Sequence, residues 1–150
     1  METLTSQEIH QKVAQGLAET DVRYTSGRRA VVAILIRVGG PRSVGELVKL
    51  LEDSVPVSSL YRSLAIFEEA GVIVKHHDVD GIIRVELSEW LLGHHHHVVC
   101  DDCGRVEDFS LSSDEENTLH DIVDKVGESL RYQVSGHVLE VEGVCDTCAP

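Results

Sequence analysis

The sequence predicts an α+β chain in two parts, on three observations: helices followed by a two-stranded ribbon in the first 87 residues, two late CxxC pairs, and unevenly divided charge. At 150 residues there is room for one medium domain or two small ones with limited cores, the smaller of which a metal staple would help. The expected boundaries are 1–87 for the first domain, 88–93 (SEWLLG) for a hinge and 94–150 for the second.

Residues 28–38, RRAVVAILIRV, form a helix-length apolar run stopped by Gly39, Gly40 and Pro41. Ser43 with Glu46 makes a capping box that opens a helix through Leu47, Leu50 and Leu51. After Pro56, Ser58 or Ser59 can cap a third helix carrying Leu60, Leu64 and Phe67 at helical spacing, with Gly71 as its stop. Val72 to Lys75 and Ile82 to Leu87 are β-rich runs joined through the turn dipeptide Asp80-Gly81. Three helices and a ribbon are the order of a winged helix-turn-helix, with residues 58–71 as the recognition helix.

The second part reads strand, helix, strand. His97 to Cys100 and Arg105 to Phe109 suit strands, and Ser113 with Glu116 caps a helix whose apolar face is Leu119, Ile122, Val123 and Val126. Residues 132–144 alternate as a strand or hairpin. A helix on so small a sheet leaves apolar surface over, which a dimer interface would use.

Cys100, Cys103, Cys145 and Cys148 are the only cysteines. A CxxC turn delivers two sulfurs to one ion, and two turns complete a tetrahedral zinc shell. Disulfides or a thioredoxin-like motif are the competing uses. With no secretory signal or transmembrane run in the sequence, the expectation is reduced thiols in a cytoplasm and no membrane partner. His94 to His97 run into the first pair. On a strand, His94 and His96 serve one face while His95 and His97 serve the other, so one tract can feed two metal sites. Their partners would be carboxylates and distant imidazoles, for which Glu86, Asp108, Glu115, His76, His77 and His137 are candidates. Each taken singly is an ordinary surface residue; the constellation carries the argument.

The formal net charge of −13 would by itself argue against nucleic acid. Residues 1–80, however, hold 9 Lys+Arg against 11 Asp+Glu (−2), whereas residues 81–150 hold 4 against 15 (−11). Residues 22–45 contain Arg23, Arg28, Arg29, Arg37 and Arg42 and no acid. Local field decides whether a phosphate backbone is attracted.

Four segments, in order, resemble the ferric uptake regulator family of metal-sensing bacterial repressors: YTSGRR (24–29), SSLYRSLAIFEEAGVI (58–73), HHHHVVCDDCGRVEDF (94–109) and GHVLEVEGVCDTC (136–148). The resemblance implies a homodimer with an N-terminal winged helix, a C-terminal α/β dimerisation domain, a structural Zn2+ on the four cysteines and one or two regulatory sites. It carries Glu86, His95, His97 and, as in some members, Asp108 to a regulatory site between the domains. His94, His96, Glu115 and His137 go to a second site. Many iron-responsive members add a histidine just before the second helix; GGPRS (39–43) stands here, so His76 or His77 of the wing would supply the missing ligand.

By the same resemblance Arg23, Tyr24, Arg28, Ser58, Ser59, Tyr61 and Arg62 would meet double-stranded operator DNA, expected to be A·T-rich and palindromic. Tyrosine offers an apolar edge to a thymine methyl, and arginine suits a narrow A·T groove. Zn2+ or Fe2+ is the expected regulatory ion, ahead of Ni2+ or Mn2+. The chain thus reads as a metal-dependent transcriptional repressor of metal homeostasis and not an enzyme. A peroxide-sensing repressor of the same family is the nearer alternative. A zinc hydrolase is the remote one, lacking HExxH and any HxE before a PCxxC.

Overall fold

The computed structural model describes residues 4–77 and 80–150, which fall into two compact units, Met1–Gly93 and His94–Pro150. In the first unit α1 (Ser6–Ala18) precedes α2 (Ser26–Val38), β1 (Arg42–Ser43), α3 (Val44–Leu51), α4 (Val57–Glu69), β2 (Ile73–His77), β3 (Ile83–Leu87) and the one-turn α5 (Glu89–Leu92). The strands form an antiparallel sheet in the order β1-β3-β2. Val13, Leu17, Val31, Val32, Leu47, Leu60, Phe67, Val72 and Val85 pack one apolar core between helices and sheet.

Helix α1 was not among the expected elements, although Thr5 and Glu8 form a capping box and Ile9, Val13 and Leu17 recur every fourth residue on its buried face. Helix α4 starts earlier than expected. Pro56 is its N-cap and makes no side-chain cap bond, so Ser58 and Ser59 are first-turn residues rather than caps. Proline suits that place because its fixed φ leads into the helix and its absent N–H is not missed. The expected hinge is anchored at its start: Ser88 Oγ and Trp90 Nε1 each donate to Gly71 O at 2.7 Å, and Leu91 is buried in the core.

The second unit holds β4 (His96–Cys100), β5 (Val106–Phe109), α6 (Ser113–Leu130) and β6 (Glu140–Gly143). Its sheet runs β5-β4-β6, with β4 antiparallel to β5 and parallel to β6. Of residues 132–144 only Glu140–Gly143 is strand, because the preceding segment packs on the helix instead: Tyr132 N donates to Gly127 O at 2.8 Å. The apolar face expected on α6 divides in two. Leu119 and Val123 turn inward with the buried Gly127, whereas Ile122, Val126 and Leu130 are exposed.

The helix cap is shifted by one residue from the expected one. Ser112, not Ser113, is the N-cap, and Glu115 closes the box by accepting from Ser112 N at 2.8 Å and Ser112 Oγ at 2.7 Å. Both S-x-x-E pairs satisfy the pattern, but only this register turns Glu116 toward the inward stripe.

A methyl at Gly127 would lie 2.5 Å from Val134 Cγ2 and 3.2 Å from Tyr132 O. Alanine would gain up to about 1 kcal/mol of helix propensity, but crowding a packed backbone costs about 1–3 kcal/mol. Gly127→Ala should therefore lower the thermal unfolding midpoint, and a rise on calorimetry would mean that the 132–134 segment does not press on α6 in solution.

Candidate metal centres and nucleic-acid interface

The two CxxC turns meet because β4 and β6 lie side by side, with Cys100 opposite Gly143. The first turn closes through Gly104, whose φ of +71° is one that glycine adopts without strain and whose N–H donates to Cys100 O at 2.9 Å. Cys145 N donates to Cys100 Sγ at 3.3 Å, and Arg105 Nη2 reaches Asp146 at 2.7 Å across the two turns. All four thiols are free, with sulfurs within 4.8 Å of one another. Cys103 and Cys145 are 3.8 Å apart, the edge of a tetrahedron with sulfur about 2.3 Å from zinc.

The chemistry of this donor set calls for a cation. Backbone N–H groups of Cys103 and then Cys145 pull the Cys100 thiol down to about 6, against its burial, so a thiolate is ready near neutral pH. The Cys148 thiol is pushed up to about 12 by hydrogen bonding to Cys145 and Cys103. Four sulfurs this close cannot all ionise alone; a divalent ion removes that obstacle.

A second set lies between the sheet and α6. His94 Nε2 and His137 Nε2 stand 3.0 and 3.1 Å from Glu116 Oε1, and His96 Nε2 donates to Glu116 Oε2 at 2.9 Å. That bond, with the facing imidazoles, holds the Glu116 carboxyl below its ordinary range in spite of burial. Glu116 Oε1 and His137 Nε2 are buried without an aligned hydrogen-bond partner despite their proximity. Two lone-pair atoms at this spacing are placed as neighbouring ligands of one ion would be. The carboxylate here is Glu116; Glu115, expected from the sequence, is turned away by the cap.

On the other flank of β4, His95 and His97 stand edge to face with centroids 5.1 Å apart. His97 Nε2 is 3.4 Å from Asp108, its cross-strand partner in the β4–β5 register. His94 and His96 thus group with Glu116, and His95 and His97 with Asp108, although only His96 and His97 lie on β4 itself. In the first unit Glu86 is buried, 3% exposed, with its Oε1 2.5 Å from His76 Nε2. His77, one residue along β2, is exposed opposite Ile83.

The exposed face of α4 carries Ser58, Tyr61 and Arg62. Tyr61 is 57% exposed, so its ring is not packed into the core. Arg28, Ser59 and Arg62 line a cleft of about 250 Å³ with Thr25, Ser54 and Ser63, and Arg23 is exposed nearby in sequence. Tyr24 has an inward task. Its hydroxyl lies 2.5 Å from His10 Nδ1, and burial pushes the phenol up to about 12 while burial, then Arg29, lowers His10. A neutral imidazole therefore accepts from the phenol, and any phosphate contact by that hydroxyl would have to break the bond joining α1 to the segment that leads into α2. His10 and His120, which lies beside Glu116, had no assigned role in the sequence reading.

The model of the Ferric uptake regulator family matches residues 19–142. The peroxide operon regulator of Bacillus subtilis is 28% identical over 136 residues, 89% of this chain and 88% of that protein. The ferric uptake regulation protein of Legionella pneumophila is 30% identical over 139 residues, 90% and 97% of the two. The crystal structure of the Vibrio cholerae ferric uptake regulator superposes with a TM-score of 0.67 at 29% identity, covering 89% of this chain and 99% of that one. With matches spanning both units and a thiolate cluster that fits zinc, the chain belongs to the ferric uptake regulator family of metal-responsive transcriptional repressors.

Proposed function

We propose that operator affinity is set by a Zn2+ or Fe2+ ion bound to His95, His97 and Asp108, with Glu86 and His76 of the first unit completing its shell. The separation of the histidines onto two flanks of β4 carries this reading, since it leaves His95 and His97 for a purpose other than the His94, His96, Glu116 and His137 set. Glu86 supports it: a carboxylate buried to 3% exposure is costly unless paired, and an imidazole already faces it. Of the two wing histidines, His76 is the ligand on this reading because His77 points elsewhere.

Ligands drawn from both units make metal binding favour one arrangement of the winged helices, the population shift that couples metal to DNA. Cys100, Cys103, Cys145 and Cys148 hold a zinc that stays in place, and the Glu116 set binds a second exchangeable ion. Ile122, Val126 and Leu130, spaced four apart, make an exposed apolar stripe on α6, and Tyr132 and Val138 are exposed elsewhere in the second unit; a second copy would cover such a stripe. A two-fold dimer reads a palindrome. Tyr61 and Arg62 would read the major groove, Ser58 and Ser59 would position phosphates, and Arg23 would favour A·T-rich minor grooves. The setting is the bacterial cytoplasm. A peroxide-sensing use is favoured by Asp108, which adds a carboxylate beside His97; with bound Fe2+, it would show as an oxygen atom added to His95 or His97 on peroxide treatment, detectable by mass spectrometry.

Glu86→Ala and His95→Ala should keep the cysteine-bound zinc and lose metal-stimulated operator binding in titrations at buffered free metal; unchanged activation in both would sink the regulatory assignment. Tyr61→Ala should cost about 1–3 kcal/mol per half-site on operator DNA and less on a scrambled duplex, whereas equal losses on both would deny α4 the reading role.

Neighbouring glutamates should separate cleanly. Glu116→Ala is expected to abolish binding of one metal equivalent per protomer with α6 still helical, and Glu115→Ala to keep that equivalent and lower thermal stability. The reverse pattern in metal analysis and calorimetry would return the ligand role to Glu115.

A further inference from the structure

His120 stands one turn beyond Glu116 on α6, and residues four apart share a helix face. Its Nε2 lies 3.5 Å from Glu116 Oε1 and its ring 5.0 Å from that of His137. Three imidazole nitrogens therefore surround one carboxylate oxygen, at 3.0 Å from His94, 3.1 Å from His137 and 3.5 Å from His120. Donors about 2.1 Å from a common ion lie about 3.0 Å apart in an octahedral shell and about 3.4 Å apart in a tetrahedral one. All three spacings to Glu116 fall at or near that range; the ligand atoms of His94, His96, Glu116 and His137 also lie within 4.8 Å of one another, whereas His120 stands outside that mutual group and joins it by a turn of its exposed side chain.

We infer that His120 is a fifth donor to the second metal site, which makes it a four-imidazole, one-carboxylate centre. The inference rests on the reading that His94, His96, Glu116 and His137 bind an ion. An exposed Glu–His pair at i,i+4 is the ordinary use of such spacing. Here, however, the oxygen that His120 approaches is buried and lacks an aligned donor, and His120 also faces the ring of His137. The His120 side chain is 55% exposed, against 2% for His96. His120 thus stands on the solvent side of the site, where it is the first ligand an entering ion meets and the last it leaves. Four nitrogens favour late divalent ions such as Zn2+, Ni2+ or Co2+ over Mn2+, and five donors relax the tetrahedral preference of a four-ligand zinc site.

The test uses the full-length protein with zinc on its cysteines and His97→Ala to remove the other nitrogen and oxygen set, titrated with Co2+. In this background the d–d absorption should be the weak band of a five-coordinate ion. Adding His120→Ala should strengthen the band towards the tetrahedral type, weaken Co2+ affinity on the order of 10-fold, at least what a lost outer-shell partner costs, and speed transfer to a chelator. His120→Gln should give the same spectrum, and circular dichroism should show α6 intact in both. An unchanged spectrum overturns the fifth donor even if affinity falls, because a merely electrostatic neighbour would alter affinity alone. Retention of the Co2+ band in Glu116→Ala would overturn the four-ligand reading, and the inference with it.

Discussion

The crowding of four thiols is the constraint on which the second unit depends. Among its described residues only Cys100 and Val106 are buried apolar side chains, far too little to offset the ordering of a strand-helix-strand unit by the hydrophobic effect. What remains is ligation. The pairing of β4 with β6 brings the two CxxC turns together, and the same register fixes where His96 and His97 of β4 point. The same strand pairs with β5, which sets Asp108 opposite His97, and hands His96 to α6. A zinc on the cysteines is therefore folding free energy for everything placed downstream of it.

Glu116 is the next link. Helix α6 faces the sheet with a short inward stripe of Leu119, Val123 and Gly127, and the ring of histidines about Glu116 pins its first turns. Once that end is held, the outer stripe of Ile122, Val126 and Leu130 is presented as one surface. On the proposed reading, an ion that drew His94, His96 and His137 to Glu116 would also orient the apolar stripe a partner would cover, coupling metal binding to association through α6.

Periodicity made most of this legible. The period of two along His94 to His97 separated the metal sets, and helical spacing in α2, α3 and α4 located the first core. What failed were decisions of a single residue. Ser112 and Ser113 both satisfy the capping pattern, and the slip exchanged Glu115 for Glu116; the i, i+3, i+7 relation of Glu116 to Leu119 and Val123 was the signal that could have decided it. Helix α1 was legible in Thr5, Glu8, Ile9, Val13 and Leu17. The pairing of Tyr24 with His10 was not, because it joins a helix residue to one 14 positions on, in the connection before α2, and no local pattern encodes it. The exposed Tyr61 shows the reverse, an aromatic whose position on α4 left burial or function open until its surroundings were known.

Softness divides the work among the metal sets. Thiolates hold zinc tightly and exclude the harder ions, whereas imidazole and carboxylate donors accept several divalent ions and exchange them more readily. On the proposed assignment, placing all the sulfur in the staple and all the nitrogen and oxygen in the other sets would let free metal rise and fall without unfolding the unit that must respond. Charge supports the same division. The second unit, residues 94–150, holds 3 Lys+Arg against 13 Asp+Glu (−10), a field that favours cations and repels a phosphate backbone, while the acid-free stretch 22–45 belongs to the first unit. On the proposed reading, the opposite electrostatic demands of attracting metal and attracting a polyanion would be met by one acidic chain because most of its excess acid lies in the second unit and its acid-free basic stretch in the first.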